Sequence, residues 1–318
     1  MNDATTNELE QYLWDEQVAW SQTADRLRDV RSRSRSIVMV LTIAGAVLQT
    51  FTGVTGDPAF RTAAGIAGTI ALSLAAGIAG FFLKPENTQR WLRARSVSEG
   101  IKAEFYAYRA SADPYTGPDA LQLLQEKIRK IIGFAKDLAG HRARTSPKPK
   151  PMPDKLDYEG YLKQRLDKQI ETFYLPKAKL NADRAAMFRY VEIVLVLLAA
   201  VMSAISTYVA KQTADAGSTS FALGPWIAVV TTIGGSIAAY AAASRYEFQA
   251  ASYHATAQEL RDLKHSWLLT RDKPDANWST FVRQCEDVIS AENQAWMAKL
   301  LQDSSGALPD TAASDRQS

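Results

Sequence analysis

Thr42, Gly45, Gln49 and Thr52 recur at steps of three and four, which places them on one face of a helix. Three more sets do the same: Thr62, Gly65, Thr69, Ser73, Ala76 and Gly80; Ala199, Ser203, Ser206 and Ala210; and Thr231, Gly235, Ala238 and Ala242. Their side chains are hydroxyls, one amide and small groups, so the chemistry open to them is hydrogen bonding, to a neighbouring helix or to water. Small faces let helices approach closely in lipid, and hydroxyls bond across the contact. The same groups can line an aqueous path when several copies assemble, without the cost of a buried charge. Thr42, Gln49, Thr69, Ser73, Ser203, Ser206, Thr231 and Gly235 are therefore candidates for helix packing or for lining a pore. Gln49 is the best single candidate, because a lone amide in lipid must find a partner or water.

A second set of residues is charged. Glu99, Lys102, Glu104 and Arg109 follow the second stripe, and Arg261, Asp262 and Lys264 follow the fourth. Such charges usually form a solvated face laced with ion pairs. The alternative is an anion or nucleotide site between helices, with Arg95, Glu99, Lys102 and Arg261 as ligand or gating contacts. Enzyme chemistry finds little support. There is no glycine-rich phosphate loop, no Cys/His pair at ligand spacing and no nucleophile elbow. His141, His254 and His265 are scattered, and Cys285 is the single cysteine, so neither a metal site, a cofactor nor an internal disulfide framework is expected. The net charge of +3, with no basic run interleaved with aromatics, argues against nucleic acid as a partner.

The elements that must position these residues are four long apolar runs, at about 37–54, 62–83, 191–210 and 221–243, the third uncharged from Ile193. Each is long enough to cross a hydrocarbon core of ~30 Å, which takes roughly 20 helical residues. A soluble bundle would need a larger polar shell than this chain supplies to bury four helices apolar all round. The mean hydropathy of -0.19 averages these runs with segments rich in Arg, Lys, Glu, Asp and Gln. The expectation is an all-α integral membrane protein with a cytoplasmic helical bundle. No fixed charge lies deep in a run, which argues against an ion-coupled carrier; Glu192 sits at the mouth of the third, beside Arg189.

The order helix, span, tight loop, span, helix, helix occurs twice, at 1–140 and 158–303. The local text supports a duplication: Tyr12-Leu13 and Tyr161-Leu162, Gln17-Val18 and Gln169-Ile170, and Trp20 with Ala24 against Tyr174 with Ala178. Between the halves, 141–157 holds Pro147, Pro149, Pro151 and Pro153, which predicts an extended linker. The Thr55-Gly56-Asp57-Pro58 loop joins the first two spans, 210–220 is expected to be a loop, and 120–138 has the periodicity of an amphipathic helix. The tail 304–318 has the composition of a disordered segment. Basic residues flank all four spans on one side: Arg26 to Arg35, Lys84 to Arg95, Arg184 with Arg189, and Arg245. By the positive-inside rule that side is cytoplasmic, with both termini and every polar helix.

Tyr161-Leu162-Lys163-Gln164-Arg165 leads to Gln169-Ile170, then Tyr174 and Lys177-Ala178, before the third span. After the second span, 95–105 carries Glu99 and Lys102. In this text and in the helix–span–span–helix layout, the chain resembles the SLATT family: two-transmembrane effectors associated with SMODS nucleotidyltransferases and SLOG nucleotide sensors in bacteria. The resemblance implies two tandem SLATT-like units in the bacterial inner membrane. It further implies self-association into a pore during antiviral or inter-bacterial conflict, triggered by a nucleotide second messenger or a sensor partner. The chain departs from the family pattern in having two units and no recognisable domain that makes or senses nucleotides, so a regulator would be a separate protein. The alternative is a non-conducting membrane anchor that scaffolds cytoplasmic partners.

Overall fold

A computed structural model describes residues 3–142, 150–216, 223–272 and 277–305. The first half forms α1 (Asp3–Val54), α2 (Pro58–Phe82), α3 (Pro85–Arg109) and α4 (Ala120–Gly133). The second forms α5 (Tyr158–Gly160), α6 (Leu175–Ala216), α7 (Gly224–Ser244), α8 (Tyr246–Thr270) and α9 (Trp278–Ser305). No strand occurs among the described residues, and the fold is all-α. Four stretches are long and apolar enough to cross a membrane: Ala4–Val54, Pro58–Phe82, Tyr158–Gln212 and Gly224–Thr270. Pro147 and Pro149, residues 217–222 of the expected loop and fourth span, and 306–318 of the tail lie outside the described residues.

The boundaries have local causes. Asp57 caps α2 by accepting from the Ala59 amide at 3.0 Å, and Pro58 opens the helix with a φ already suited to it. Arg245 adopts φ 53, the left-handed conformation that ends α7, and α8 starts at the next residue. The amphipathic helix read over 120–138 stops earlier, at Gly133. Glycine is a poor helix former, and the amides of Phe134 and Ala135 fall back to three-residue bonds on Ile131 and Ile132. A 3-10 helix over Lys136–His141 follows. The third span runs on to Ala216, past the expected loop start at 210, because no breaker precedes Gly217.

Two compact units emerge, and each draws on both halves of the sequence. The first, here the helical body, comprises Met1–Asp29, Pro85–Ala178 and Ala251–Ser318; the second, the span unit, comprises Val30–Lys84 and Lys179–Ala250.

The body has a single core. Trp14 and Trp20 from α1, Ile101 and Phe105 from α3, and Leu124 and Ile128 from α4 are buried, together with Leu260 from α8 and Val282 and Ile289 from α9. Burying side chains of this size stabilises by roughly 1.5–3 kcal/mol each. Between α5 and α6 the chain winds into two π-helical stretches, Tyr161–Asp167 and Gln169–Tyr174. Leu162, Leu166, Ile170, Tyr174 and Ala178 are buried there at steps of four. That step lies between the 3.6-residue α turn and the wider π turn, so winding partly as π keeps the row on one face. The residues paired with them in the first half, Leu13, Val18, Trp20 and Ala24, are also buried but lie on regular α-helix. Residues 150–157 have no regular secondary structure and are tied to the body. The Trp14 indole donates to the Lys150 carbonyl at 3.0 Å, and the Leu156 amide donates to the Arg109 carbonyl at 2.9 Å.

In the span unit α1 lies against α2 at glycines. A Cβ added to Gly45 would come within 2.7 Å of Leu72, and one on Gly68 within 3.1 Å of Gln49. The buried residues of α2 are Ala64, Gly68, Ala71 and Ala75, a small-residue face of the kind that lets helices approach in lipid. On its other side α1 meets α7. Arg35 donates to the Ala243 carbonyl at 2.8 Å, Ser36 and Tyr240 share a hydrogen bond at 3.3 Å, and Phe51 sits edge-on to Trp226 at 5.2 Å. α6 meets α7 through Phe188 against Tyr240, and it meets the first turn of α8 through Phe188 stacked on Tyr246 and the ion pair Arg189–Glu247. Large apolar side chains face outward on two of these helices: Ile66, Ile70 and Phe81 on α2, and Val196, Leu197 and Val201 on α6.

Candidate functional site

Three of the four residues expected to contact a ligand or gate come together. Arg95, Glu99 and Lys102 share a face of α3, and Lys102 Nζ lies 3.9 Å from Glu99 Oε2. Lys150 and Arg165 add positive charge and Glu286 negative charge to the same neighbourhood, leaving cations in excess. Burial opposes the charge of Glu99, but Lys102, Arg95, Arg165 and Lys150 outweigh it and hold the carboxyl below its usual range. For Lys102, Glu99 supports the charge, yet burial together with Arg165 and Lys150 lowers its pKa. Arg261, the fourth, is half-buried on α8, and no ion pair among the described residues joins it to this group.

Next to this group lies the most buried ion pair of the body. Arg165 grips Glu286 with two parallel bonds, Nε to Oε1 at 2.8 Å and Nη2 to Oε2 at 2.6 Å, and both side chains are 2 % exposed. The Tyr161 hydroxyl donates to the same carboxylate at 3.0 Å, and the guanidinium lies 4.1 Å over the Tyr106 ring. Burial works against the Arg165 charge, and Glu286 more than restores it, so its pKa is raised. Burial also pushes the neighbouring Cys285 thiol up, which leaves it unreactive.

Two further carboxylates are clasped in the body. Glu10 pairs with Arg109 at 3.0 Å and accepts from the Tyr108 hydroxyl at 2.5 Å. Glu104 accepts from the Tyr115 hydroxyl at 2.6 Å and faces Arg283 at 3.3 Å and Lys127 at 3.4 Å. Burial opposes the Glu104 charge, but Tyr115, Arg283 and Lys127 hold its pKa below 4.5. Glu99 and Glu104 thus bind protons more weakly folded than unfolded. Their stabilisation is complete above 4.5 and lost as pH falls through the lower folded values. A melting series from pH 7 downward is expected to show the helical body losing stability below that pH, with a shallower decline in Glu104→Gln. An unchanged slope in that variant would remove Glu104 from the account.

The stripe residues fall into two groups. Gln49 and Thr69 are brought together: the Gln49 amide donates to Thr69 Oγ1 at 3.0 Å and to the Gly65 carbonyl at 3.2 Å, across α1 and α2. The others are not joined to one another. Thr42 donates to its own helix at the Val38 carbonyl, and Thr231 likewise to the Ile227 and Ala228 carbonyls. Ser73, Ser203 and Thr231 are exposed and Ser206 is half-buried. Gly235 is exposed, and a Cβ there would meet nothing within 4 Å.

Residues 161–296 match the model of the SMODS and SLOG-associating 2TM effector domain 1, SLATT_1. The second half of the chain carries a SLATT domain. Residues 18–122 match a second model, a protein family of unknown function, DUF4231. The chain matches no solved structure and no curated protein. The SLATT domain is a two-transmembrane effector domain associated with defence systems, and with four apolar helices the chain is a multi-pass membrane protein. Tyr161 and Arg165 stand at the start of the SLATT match and Glu286 near its end, so their buried contact clasps the two ends of that domain. Ser203, Ser206, Thr231 and Gly235 lie within it; Gln49, Thr69, Glu99 and Lys102 lie in the DUF4231 match. Among the described residues, no group of three or more His, Cys, Asp or Glu side chains could hold a metal ion.

Sequence reasoning missed Glu10 and Glu286, and it used Arg165 only as part of a family resemblance. A signal for Glu286 was present. It falls in the series Val282, Cys285, Ile289, where a carboxylate at a core position requires a buried cation.

Proposed function

We propose that this protein is a membrane effector that self-associates into a pore in the bacterial inner membrane, with both termini cytoplasmic. One observation carries this reading: Ser73 on α2 and Ser203 on α6 lie exposed beside large apolar residues such as Leu74 and Val201, and α7 exposes only glycine, alanine and threonine, Thr231 and Gly235 among them. Hydroxyls and small residues on a lipid-facing surface suit contact with another copy, or with water once copies enclose it. The SLATT match supports an effector role, and the basic flanks of the spans support the orientation. The excess of cations around Arg95, Lys102 and Arg165 suits a negatively charged trigger, a nucleotide second messenger or an acidic sensor protein, acting on the helical body. α1 supplies residues to both units, a suitable route for such a signal.

Induced at modest level in bacteria, the wild-type chain is expected to collapse the membrane potential read with a voltage-sensitive dye. Ser203→Leu/Ser206→Leu, inserted at equal abundance, is expected to reduce the rate of collapse at least tenfold. Equal depolarisation by both would sink the assignment of this face. No depolarisation by wild type, with or without candidate triggers, would favour a non-conducting scaffold. Gln49 favours that second reading in part, since its amide is already bonded within the chain and is not available to line a lumen.

A further inference from the structure

The helical body contains a cavity of about 740 Å³ where the start of α1 faces the loop before α4 and the first turn of α4. This volume lies within the range of small-molecule sites. Tyr108, Arg109, Tyr115, Gln122, Gln125 and Lys155 are among its lining residues. Arg109 is 4 % exposed; its terminal nitrogen is bonded to Glu10, and its Nε proton is buried without an acceptor. A buried donor in that state favours any ligand that brings it an oxygen. The fourteen-residue α4 starts at the same wall, and the Asp119 side chain makes no capping bond there. The start of a helix carries partial positive charge and amides directed at an anion. Lys155 adds a second cation to the lining, against the single acidic side chain of Asp119. The Gln122 and Gln125 amides offer both donors and acceptors to a neutral polar body.

We propose that this cavity binds a small organic phosphate, its phosphate held by Arg109 Nε, Lys155 and the start of α4, and its polar body by Gln122 and Gln125. Arg109, the start of α4 and Gln122 lie within the match to a family of unknown function, Gln125 and Lys155 lie beyond it, and the inference does not depend on whether the spans conduct. Gly117, also in the lining, has open space where a Cβ would stand, which makes it a position for blocking the cavity without disturbing the core.

The test is calorimetric titration of the full chain in lipid nanodiscs with adenosine monophosphate, glucose 6-phosphate and inorganic phosphate at constant ionic strength. At least one organic phosphate is expected to bind saturably and tenfold or more tighter than inorganic phosphate. Lys155→Gln is expected to weaken that binding about tenfold, and Gly117→Trp to abolish it with the helical circular dichroism unchanged. Inorganic phosphate binding as tightly as the organic probes would overturn the organic ligand. So would no saturable binding of any of the three, or binding indifferent to both substitutions.

Discussion

Glu286→Ala is expected to destabilise the helical body by about 3–5 kcal/mol, the cost of breaking a buried ion pair from one side. Arg165 would remain 2 % exposed and charged, since a guanidinium does not give up its proton in a protein. The Tyr161 hydroxyl would lose its acceptor as well, which costs about 1–3 kcal/mol more if nothing replaces it. The loss does not measure the worth of the pair, because most of it is the penalty of the stranded charge. Arg165→Met with Glu286→Leu should therefore recover most of the stability lost in either single variant. Thermal melts of the detergent-solubilised protein followed by helical circular dichroism compare wild type, Glu286→Ala, Arg165→Met and the double variant. A single variant within about 1 kcal/mol of wild type would mean the pair is wet in solution and not a clasp.

Gly45→Leu is expected to part α1 from α2. Their close approach leaves no room: a Cβ at Gly45 would stand 2.7 Å from Leu72 Cγ and 3.3 Å from the Gly68 carbonyl oxygen. Leu72 is a flexible side chain and can swing aside, but the carbonyl belongs to the facing backbone and moves only with its helix. Overpacking of this kind costs about 1–3 kcal/mol in soluble cores. Between spans the consequence is larger in kind, because lipid tails are as apolar as the contact and close packing is what holds the helices together. Separation would also strip Gln49 of Thr69 and the Gly65 carbonyl, exposing an amide to lipid. Thr52 and Gly65 offer a reporter, since a Cβ on Gly65 would lie 3.4 Å from the Thr52 methyl. With Thr52→Cys and Gly65→Cys in place, oxidation in membranes is expected to link the helices efficiently, and Gly45→Leu to reduce the yield at least fivefold. The milder Gly45→Ala should be relieved by Leu72→Ala. Undiminished crosslinking in Gly45→Leu would show that the contact adapts.

The helices and spans were legible because both depend on short-range pattern: four apolar runs, and punctuation by Asp57-Pro58 and Lys84-Pro85. The π-helical turns were not, since the row Leu162, Leu166, Ile170, Tyr174 differs from an α row by less than half a residue per turn. The pairing of Gln49 with Thr69 was legible as two polar residues on neighbouring spans, but not as a mutual bond, which needs the register of α1 on α2. Glu99 and Lys102 were found as charges on the helix after the second span. Their neighbours Arg165 and Glu286 were not, because two partners 121 positions apart leave no local trace. The regrouping of the two halves into a helical body and a span unit was equally hidden, as repeats in sequence need not be units in space.

The spans are unequal in how much they depend on one another for insertion into the bilayer. The stretch ending in α6 has the highest mean hydropathy, 2.4, and none of its most apolar window is buried by the rest of the chain. Its backbone bonds are satisfied within the helix, so nothing else in the protein is needed for it to be stable in lipid. α7 is less apolar, at 1.5, and its Thr231, Thr232 and Ser236 must be carried across. During synthesis α6 can therefore integrate alone and wait, giving the weaker helix a surface to join. A truncation ending after α6 should insert fully, whereas α7 placed in a foreign host protein should translocate past the membrane more often than it stays.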